Sequence, residues 1–194
     1  LTISAIRVPK TEAAGRLGVL ESDTNHKLVG FEEKPVQPKC APDSPDMALS
    51  SMGIYFFSIS ALREVLSHPG YDFGKDIIPL MIKNGFNVLV YDFEKENKIE
   101  DYVAEVVDGK RKKILVPKTR DSTYWRDVGT VESYYEASMD LVGVNPLFNL
   151  YGEKWLLRTY QRPLPPSKCV LGGITPDSVI SDGCIISGAI VSST

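Results

Sequence analysis

Cysteine and histidine are scarce in this sequence. Its 194 residues include three cysteines and two histidines, and Cys40, Cys169 and Cys184 lie far apart with no CxxC pair. A structural zinc site needs about four such ligands at close spacing, and a disulfide framework needs an even set of cysteines. We therefore expect neither, and the thiol content favours a cytoplasmic protein.

Long apolar runs and excess charge are also missing. No segment approaches the roughly 20 apolar residues of a membrane-spanning helix, and the first residues do not form a signal segment. The net charge is -3, from 22 basic and 25 acidic residues. We therefore expect neither a nucleic-acid interface nor a membrane-binding patch. Since 43% of the residues are hydrophobic, a core of ordinary size can form.

Both ends of the chain fall inside regular patterns. Residues 1–8 alternate like a strand without an initiating methionine, and residues 191–194 interrupt a six-residue repeat. The repeat places apolar residues in two adjacent registers: Ile174, Ile180 and Ile186, and Val179, Ile185 and Val191. Hexapeptide repeats build parallel β-helices, although short apolar runs also arise by chance. We expect a fragment of a longer protein.

Strand and helix patterns alternate before that repeat. Strands are expected at 1–8, 17–20, 27–33, 48–59, 87–93, 102–107 and 113–116. The apolar strand 48–59 is expected to be buried. Helices are expected over 61–67, with Ser60 as its cap, over 77–83 and over 131–141. We expect one domain over residues 1–145, a proline-rich linker over 146–167 and one β-helix coil over 168–194.

The segment from residue 94 to residue 122 is unusually charged. Asp108-Gly109 predicts an exposed hairpin turn, and basic residues fill positions 110–113. That basic cluster could contact a phosphate, although a solvated hairpin tip is the commoner role of such a cluster.

The stretch 124–130 combines aromatic, basic and acidic side chains with a Gly-Thr turn. Its aromatic and β-branched residues suit a strand, Gly129 can adopt backbone angles closed to other residues, and Thr130 can cap the next helix. In an extended chain, Arg126 points away from Asp127, so Asp127 could meet a metal or a substrate. The alternative is an ordinary surface acid beside a capping turn.

Three further residues stand where a ligand could bind. Lys34 ends a strand before a proline, and its compact charge suits a phosphate, or it could protect the edge of the sheet. Ser51 lies inside an apolar strand, so its hydroxyl needs a partner in the core or in a ligand. Gly18 permits either the close approach of a ligand or a β-bulge.

Five motifs follow one another in order: Gly15–Val19, Phe31–Pro35, Ser50–Tyr55, Asp72–Pro79 and Tyr124–Thr130. Together they resemble the second half of the sugar-1-phosphate nucleotidyltransferases, and within these the ADP-glucose pyrophosphorylases (glucose-1-phosphate adenylyltransferases). Residues 146–151 and 164–168 also resemble that family's link into a left-handed β-helix. The resemblance implies an α/β fold with a Rossmann-like mixed sheet, represented by its second half and followed by the start of a left-handed parallel β-helix.

The resemblance also implies a reaction and a set of roles. In that family AMP is transferred from ATP to glucose 1-phosphate, giving ADP-glucose and pyrophosphate for glycogen or starch synthesis. Lys34 would hold the sugar phosphate, Glu33 would bind sugar hydroxyls, and Gly18 and Ser51 would line the glucose 1-phosphate pocket. Asp127 would be a ligand of Mg²⁺. A cytoplasmic homo-oligomer, a tetramer in the family, with allosteric control is implied as well.

One tension and one absence follow from these roles. Glu33 and Lys34 are neighbours and would point to opposite faces of a regular strand, so both reach one pocket only if the strand ends or bulges there. The family's glycine-rich nucleotide loop and its second acidic metal ligand belong to an N-terminal half that this sequence does not contain. We therefore expect this chain by itself to be inactive.

Three alternative functions stay open. A related nucleotidyltransferase could use another sugar or base, and a regulatory subunit could keep the fold without catalysis. The presence of Lys34 and Asp127 argues against the regulatory subunit. A β-helix acyltransferase would need many coils and an active-site histidine, and neither His26 nor His68 lies in the repeat.

Overall fold

The computed structural model describes residues 1–143, 146–156 and 158–192. The chain divides into two units, Leu1–Asn97 and Lys98–Thr194. Residue 145, the expected end of the first domain, and residues 193 and 194, the expected end of the coil, lie outside the described residues. The expected domain boundaries stay predictions.

The first unit is built on a mixed five-stranded sheet. Its strands are β1 (Thr2–Pro9), β2 (Gly18–Ser22), β3 (Leu28–Glu33), β4 (Met47–Phe56) and β5 (Leu89–Asp92). The order is β3-β2-β4-β1-β5, and only β1 and β5 run parallel. The first strand and the β2–β3 hairpin match the sequence prediction. Residues 26 and 28 also exchange backbone hydrogen bonds with Val90 and Val88, so the two outer strands meet at one end.

Four short helices and one π-helical turn belong to this unit: three helices and the turn lie between strands of the sheet, and the fourth helix follows β5. The helices are α1 (Lys10–Ala13), α2 (Ile59–Val65), α3 (Ile78–Lys83) and α4 (Phe93–Glu96), and the π-helical turn Phe73–Ile77 leads directly into α3. The prediction that Ser60 caps α2 is wrong, because Ser58 holds the extended backbone of the N-cap and Ser60 falls in the first turn. Two serines two residues apart offer the same capping chemistry, so the sequence alone could not choose between them.

The core of the first unit lies between the sheet and the helices α2 and α3. The buried apolar residues of this cluster include Ile3, Leu20, Leu49 and Val90 from strands, and Val65, Ile77, Ile78 and Met81 from helical segments. Each fully buried aliphatic side chain of this kind stabilises the fold by about 1.5–3 kcal/mol. The core therefore anchors the π-helical turn, because Ile77, the last residue of the turn, is buried in this cluster.

The prediction that β4 is buried holds only for its first half. Residues 48–50 are buried, whereas Gly53, Ile54 and Phe56 are exposed. The pairing of β4 with β1 shifts between Ser51 and Tyr55, and Gly53 has a φ of 72°. The extra residues form a bulge, which bends the strand away from its partner.

A network of ions joins the loop before β4 to the end of β5. The Arg7 guanidinium donates to Asp92, with Nη2 2.8 Å from Oδ2, and also contacts Asp43. Lys95 Nζ lies 2.5 Å from Asp43 Oδ2. The hydrogen bonds from Lys95 and Arg7 lower the pKa of Asp43 from 3.8 to about 2. Asp43 therefore contributes stability only while its carboxylate is ionised.

We expect Asp43→Asn to lower the melting temperature in a pH-dependent way. Because the folded-state pKa is below the ordinary value, the stabilisation is fully present above pH 4 and is lost as the pH falls towards 2. The melting temperatures of the two proteins should therefore differ at pH 7 and converge at about pH 2. A difference that is constant over this range would show that the carboxylate charge contributes nothing. Asp46→Asn in the same loop is the matched control.

The second unit begins with a hairpin of β6 (Asp101–Val107) and β7 (Lys110–Val116). Asp108 and Gly109 connect the strands with φ values of 55° and 72°, as a two-residue hairpin turn requires. A 3-10 helix Arg120–Thr123, the helix α5 (Val131–Met139) and the short strands β8 (Lys168–Val170) and β9 (Ile185–Ser187) follow. The predicted exposed hairpin is confirmed.

The hairpin holds part of the expected linker. The buried carboxylate of Asp101 accepts backbone hydrogen bonds from Tyr102, Glu153 and Lys154, and the first of these bonds does most to lower its pKa. Lys113 pairs with Glu153, and Lys112 Nζ lies 3.9 Å from Asp108 Oδ2. Part of the basic cluster is therefore engaged in ion pairs within this unit.

The six-residue repeat forms less regular structure than expected. The strands β8 and β9 pair in parallel, and Ile174 and Ile190 form a further parallel bridge. Parallel pairing of successive segments is compatible with stacked coils, and the described residues show this pairing without showing a left-handed β-helix. Among the helices of the described part of the chain, none is both long and apolar enough to cross a bilayer.

Candidate functional site

Three of the residues that are predicted to bind the substrate lie side by side on three adjacent strands. Glu33 on β3 pairs with Gly18 on β2. The antiparallel pairing of β2 and β4 aligns Val19 with Ser50, which places Gly18 level with Ser51. Directly opposed residues of antiparallel strands project to the same face of a sheet. The fold therefore brings Glu33, Gly18 and Ser51 to one face of the sheet.

The carboxylate of Glu33 lies between two glycines. A methyl group on Gly18 would lie 2.9 Å from Glu33 Oε2, and one on Gly74 of the π-helical turn would lie 2.6 Å from the same atom. The space above Gly18 also holds the ring of Phe31, whose Cζ would be 2.7 Å from that methyl. Gly18 therefore lies beneath Phe31 and Glu33, and its predicted contact with substrate stays a prediction.

Lys34 follows directly where the strand ends. Strand β3 stops at Glu33, and Lys34 adopts a φ of 52°. A left-handed backbone costs a residue with a side chain about 1–2 kcal/mol, and a following proline disfavours it further. The strand alternation is broken at this residue, so Lys34 need not point to the face opposite Glu33. Glu33 and Lys34 can therefore reach the same pocket although they are neighbours in the chain.

Both charged groups at this strand end are available for a ligand. Lys34 is exposed and Glu33 is half-buried. Within the described residues, neither side chain has a hydrogen bond or an ion pair. An ammonium and a carboxylate on successive residues can bind a phosphate and hydroxyl groups respectively.

Ser51 finds its partners close by. Its hydroxyl accepts a hydrogen bond from Gly53 N–H at 3.2 Å and lies 3.5 Å from the Tyr55 hydroxyl. The Tyr55 ring stacks on Phe73 with centroids 5.4 Å apart. Since Phe73 precedes Gly74, these contacts connect Ser51 to the glycine beside Glu33.

Sequence reasoning assigned no role to Tyr55, Phe73 or Gly74. All three lie inside motifs that carry the family resemblance, so the motifs themselves were the available signal. The sequence could not predict that these motifs come together in the fold. Gly18 and Gly74 are far apart in the chain, and both lie next to the Glu33 carboxylate only in the folded protein.

Ser51 has the partner that its sequence position led us to expect, whereas the neighbouring Ser50 has none among the described residues. Ser50 is fully buried, and its Oγ has no hydrogen-bond partner among the described residues. Leaving such a group unsatisfied costs about 1–3 kcal/mol. Ser50 pairs with Ile6 and Val19, so its hydroxyl lies in an apolar part of the sheet.

We expect Ser50→Ala to stabilise the protein by about 1 kcal/mol, because it removes the unsatisfied hydroxyl and adds no volume. Urea unfolding followed by circular dichroism measures the change. Ser51→Ala is the matched control and should destabilise slightly, since Gly53 N–H loses its acceptor. If Ser50→Ala lowered the free energy of unfolding, the hydroxyl would have a partner in solution.

Asp127 belongs to the second unit, in a segment without strand pairing. Residues 124–129 form no regular element among the described residues, although their aromatic and β-branched side chains suit a strand. The side chains that suit a strand are instead used in contacts: Tyr124 stacks on Phe148 with centroids 5.2 Å apart. A methyl group on Gly129 would lie 3.4 Å from both carboxylate oxygens of Asp127. Gly129 keeps a negative φ, and the expected special backbone is not used.

The neighbours of Asp127 are held by α5. Arg126 Nε donates to Asp140 Oδ2 at 2.8 Å, and the Tyr124 hydroxyl donates to the same oxygen at 3.2 Å. Thr130 caps α5, since its hydroxyl accepts from Ser133 N–H at 3.1 Å and the Ser133 hydroxyl accepts from Thr130 N–H. The prediction that Thr130 caps the helix is confirmed, and Arg126 is engaged by Asp140.

The described residues contain no group of three or more histidine, cysteine, aspartate or glutamate side chains that could hold a metal ion. Mg²⁺ commonly binds through one or two carboxylates and takes its other ligands from phosphates and water. Asp127 can supply one such carboxylate, and the rest would have to come from substrate or from further protein residues.

Comparison with known proteins identifies a family that covers most of the chain. Residues 2–143 match the family described as "Nucleotidyl transferase". The glucose-1-phosphate adenylyltransferase of Shewanella sp. (strain W3-18-1) is 42% identical over 202 residues, which cover 98% of this chain and 43% of the relative. That of Aliivibrio fischeri (strain MJ11) is 46% identical over 173 residues, covering 86% of this chain and 38% of the relative.

A third relative, glucose-1-phosphate adenylyltransferase 1 of Vibrio cholerae serotype O1, is 44% identical over 202 residues, covering 98% of this chain and 45% of the relative. The chain therefore spans less than half the length of the curated relatives that it matches. The family match covers the sheet of the first unit, the hairpin and α5. The family resemblance inferred from the five motifs is confirmed: this chain belongs to the nucleotidyl transferase family.

Proposed function

We propose that the protein containing this chain transfers AMP from ATP to glucose 1-phosphate, giving ADP-glucose and pyrophosphate for glycogen or starch synthesis. The observation that carries the proposal is the identity of 42–46% to three proteins named glucose-1-phosphate adenylyltransferase. The charged strand end supports it, since Lys34 and Glu33 offer an ammonium and a carboxylate without partners in the described residues.

In this reaction a phosphate oxygen of glucose 1-phosphate attacks the α-phosphorus of ATP, and pyrophosphate leaves. Transfer of this kind depends on positioning the phosphates and neutralising their charge. Lys34 binds the sugar phosphate and reduces its repulsion from ATP. Glu33 accepts hydrogen bonds from sugar hydroxyls, and Ser51 offers a hydroxyl on the same face of the sheet.

The proposed reaction uses Mg²⁺, and Asp127 is the proposed protein ligand of this ion. A bound Mg²⁺ supplies charge neutralisation at the phosphates of ATP. Asp127 acts as one of its ligands, and α5 holds the flanking Arg126 and Tyr124 through Asp140. These hydrogen bonds hold the segment that carries Asp127 against the end of α5.

The remaining parts of the proposal concern the whole protein. The six-residue repeat continues as a left-handed β-helix, and the protein works as a cytoplasmic homotetramer under allosteric control. The parallel pairing of β8 with β9 supports the first point. Light scattering of the full-length protein tests the assembly.

An assay of the full-length protein tests the reaction. Purified protein is incubated with glucose 1-phosphate, Mg²⁺ and one of ATP, UTP, GTP, CTP or dTTP, and nucleotide sugars are separated by chromatography. ADP-glucose should form much faster than any other product. Preference for another nucleotide would assign a related transferase, and absence of every product would assign a non-catalytic subunit.

A further inference from the structure

Glu33 reaches its position through contacts with two elements that are far apart in sequence. Its Oε2 atom occupies the space that a side chain would need on Gly18 of β2 and on Gly74 of the π-helical turn, since a methyl group on these glycines would lie 2.9 Å and 2.6 Å from that oxygen. Neither glycine has a positive φ, so the backbone conformation does not require glycine at either position. Room for the carboxylate is what these two positions share.

The π-helical turn is itself firmly held. Asp72 Oδ1 accepts from Lys75 N–H at 2.8 Å, and Asp76 Oδ2 accepts from Tyr71 and Asp72 N–H at 2.9 and 3.1 Å. Ile77, at the end of the turn, is buried in the core. Gly74 is buried as well. The turn therefore gives the Glu33 carboxylate a rigid contact at Gly74. Short π-helical segments are frequent at functional sites.

We propose that Gly74, together with Gly18, is a positioning residue that holds the Glu33 carboxylate in the geometry needed to bind the sugar of the substrate. This inference rests on the proposed function, because it assumes that Glu33 binds sugar hydroxyls. Gly74 touches Glu33 and acts through it. A side chain at position 74 would push the carboxylate away from its place above Gly18.

Of the two glycines, Gly74 offers the cleaner test. A methyl group on Gly18 would also meet the Phe31 ring, which packs against the core, so that variant would disturb the fold. The atoms nearest to a methyl on Gly74 are Oε2 and Cδ of Glu33, at 2.6 and 3.2 Å, and Asp72 Oδ1 at 3.3 Å. The first two belong to the end of a flexible side chain, so Gly74→Ala should displace the carboxylate and leave the fold intact.

The test measures steady-state kinetics of full-length enzyme carrying Gly74→Ala. We expect the KM for glucose 1-phosphate to rise about tenfold or more, as when a charge-assisted hydrogen bond is lost. The KM for ATP and the melting temperature should stay close to those of the unmodified enzyme. Gly143→Ala is the matched control, since, apart from its neighbours in the chain, no atom of the described residues lies within 4 Å of a methyl group on Gly143, and its φ is not positive.

The same substitution made in a Glu33→Asp enzyme shows whether Gly74 acts by positioning the Glu33 carboxylate or by a general effect on the structure. In Glu33→Asp the shorter side chain no longer reaches the methyl at position 74, so adding Gly74→Ala should change the KM for glucose 1-phosphate by less than about twofold. An equal rise in both backgrounds, or no rise in the Gly74→Ala enzyme, would overturn the proposal. An unmodified enzyme that forms no ADP-glucose would instead overturn the proposed function.

Discussion

Asp127→Asn in the full-length enzyme should lower kcat by about a hundredfold or more at saturating substrates. The change keeps the size of the side chain and removes its charge, so the loss reports the carboxylate as an electrostatic ligand. The fold should survive, because Arg126 and Tyr124 are held by Asp140 and α5 is capped by Thr130. The measurement is kcat as a function of Mg²⁺ concentration.

The control for this variant is Glu132→Gln, which neutralises an exposed acid in the first turn of α5. It should leave both kcat and the Mg²⁺ dependence almost unchanged. A direct readout is also available, because binding of Mn²⁺ with ATP present can be followed by electron paramagnetic resonance. If Asp127→Asn kept a near-normal kcat at low Mg²⁺, the metal role of Asp127 would be wrong.

Lys34→Ala should raise the KM for glucose 1-phosphate by about a hundredfold, and the KM for ATP by far less. A charge-assisted hydrogen bond contributes about 1.5–3 kcal/mol, and each 1.4 kcal/mol corresponds to a factor of about ten. Because Lys34 is exposed and has no hydrogen bond or ion pair with the described residues, its removal should not destabilise the sheet. Initial rates with each substrate varied in turn measure the two constants.

Lys27→Ala is the matched control for Lys34, since Lys27 is an exposed lysine in the same hairpin, next to the first residue of β3. Its KM values should be those of the unmodified enzyme. Equal increases in both KM values for Lys34→Ala would contradict a specific role in binding the sugar phosphate. Lys34→Arg adds information, because the larger planar guanidinium does not replace a compact ammonium at a phosphate.

Much of the local structure could be predicted from short sequence patterns. The Asp108-Gly109 turn, the β2–β3 hairpin and the Thr130 cap depend on residues within a few positions of one another. Backbone preferences and capping hydrogen bonds act over this short range. Where two similar residues competed, as Ser58 and Ser60 did for the cap of α2, the local pattern was not sufficient.

The candidate site shows the limit of such patterns. The sequence named Glu33, Lys34 and Ser51 as site residues and correctly expected a partner for the Ser51 hydroxyl. It gave no sign that the neighbouring Ser50 hydroxyl would be buried without a partner among the described residues. A shift by one residue along a strand moves a side chain to the other face of the sheet. Register and bulges are decided by pairing with β1 and β2, which the residues of β4 do not encode by themselves.

By itself, the sequence determined the family, the motifs and the identity of the groups that could meet a sugar phosphate and a metal. The sequence also predicted that β3 ends at Glu33. Only the tertiary structure decided that Lys34 takes a left-handed backbone and that Gly74 meets the Glu33 carboxylate. The physical reason is distance along the chain. Chemical identity is a property of single residues, whereas the contact of Glu33 with Gly74 exists only after the sheet and the π-helical turn have packed on one core.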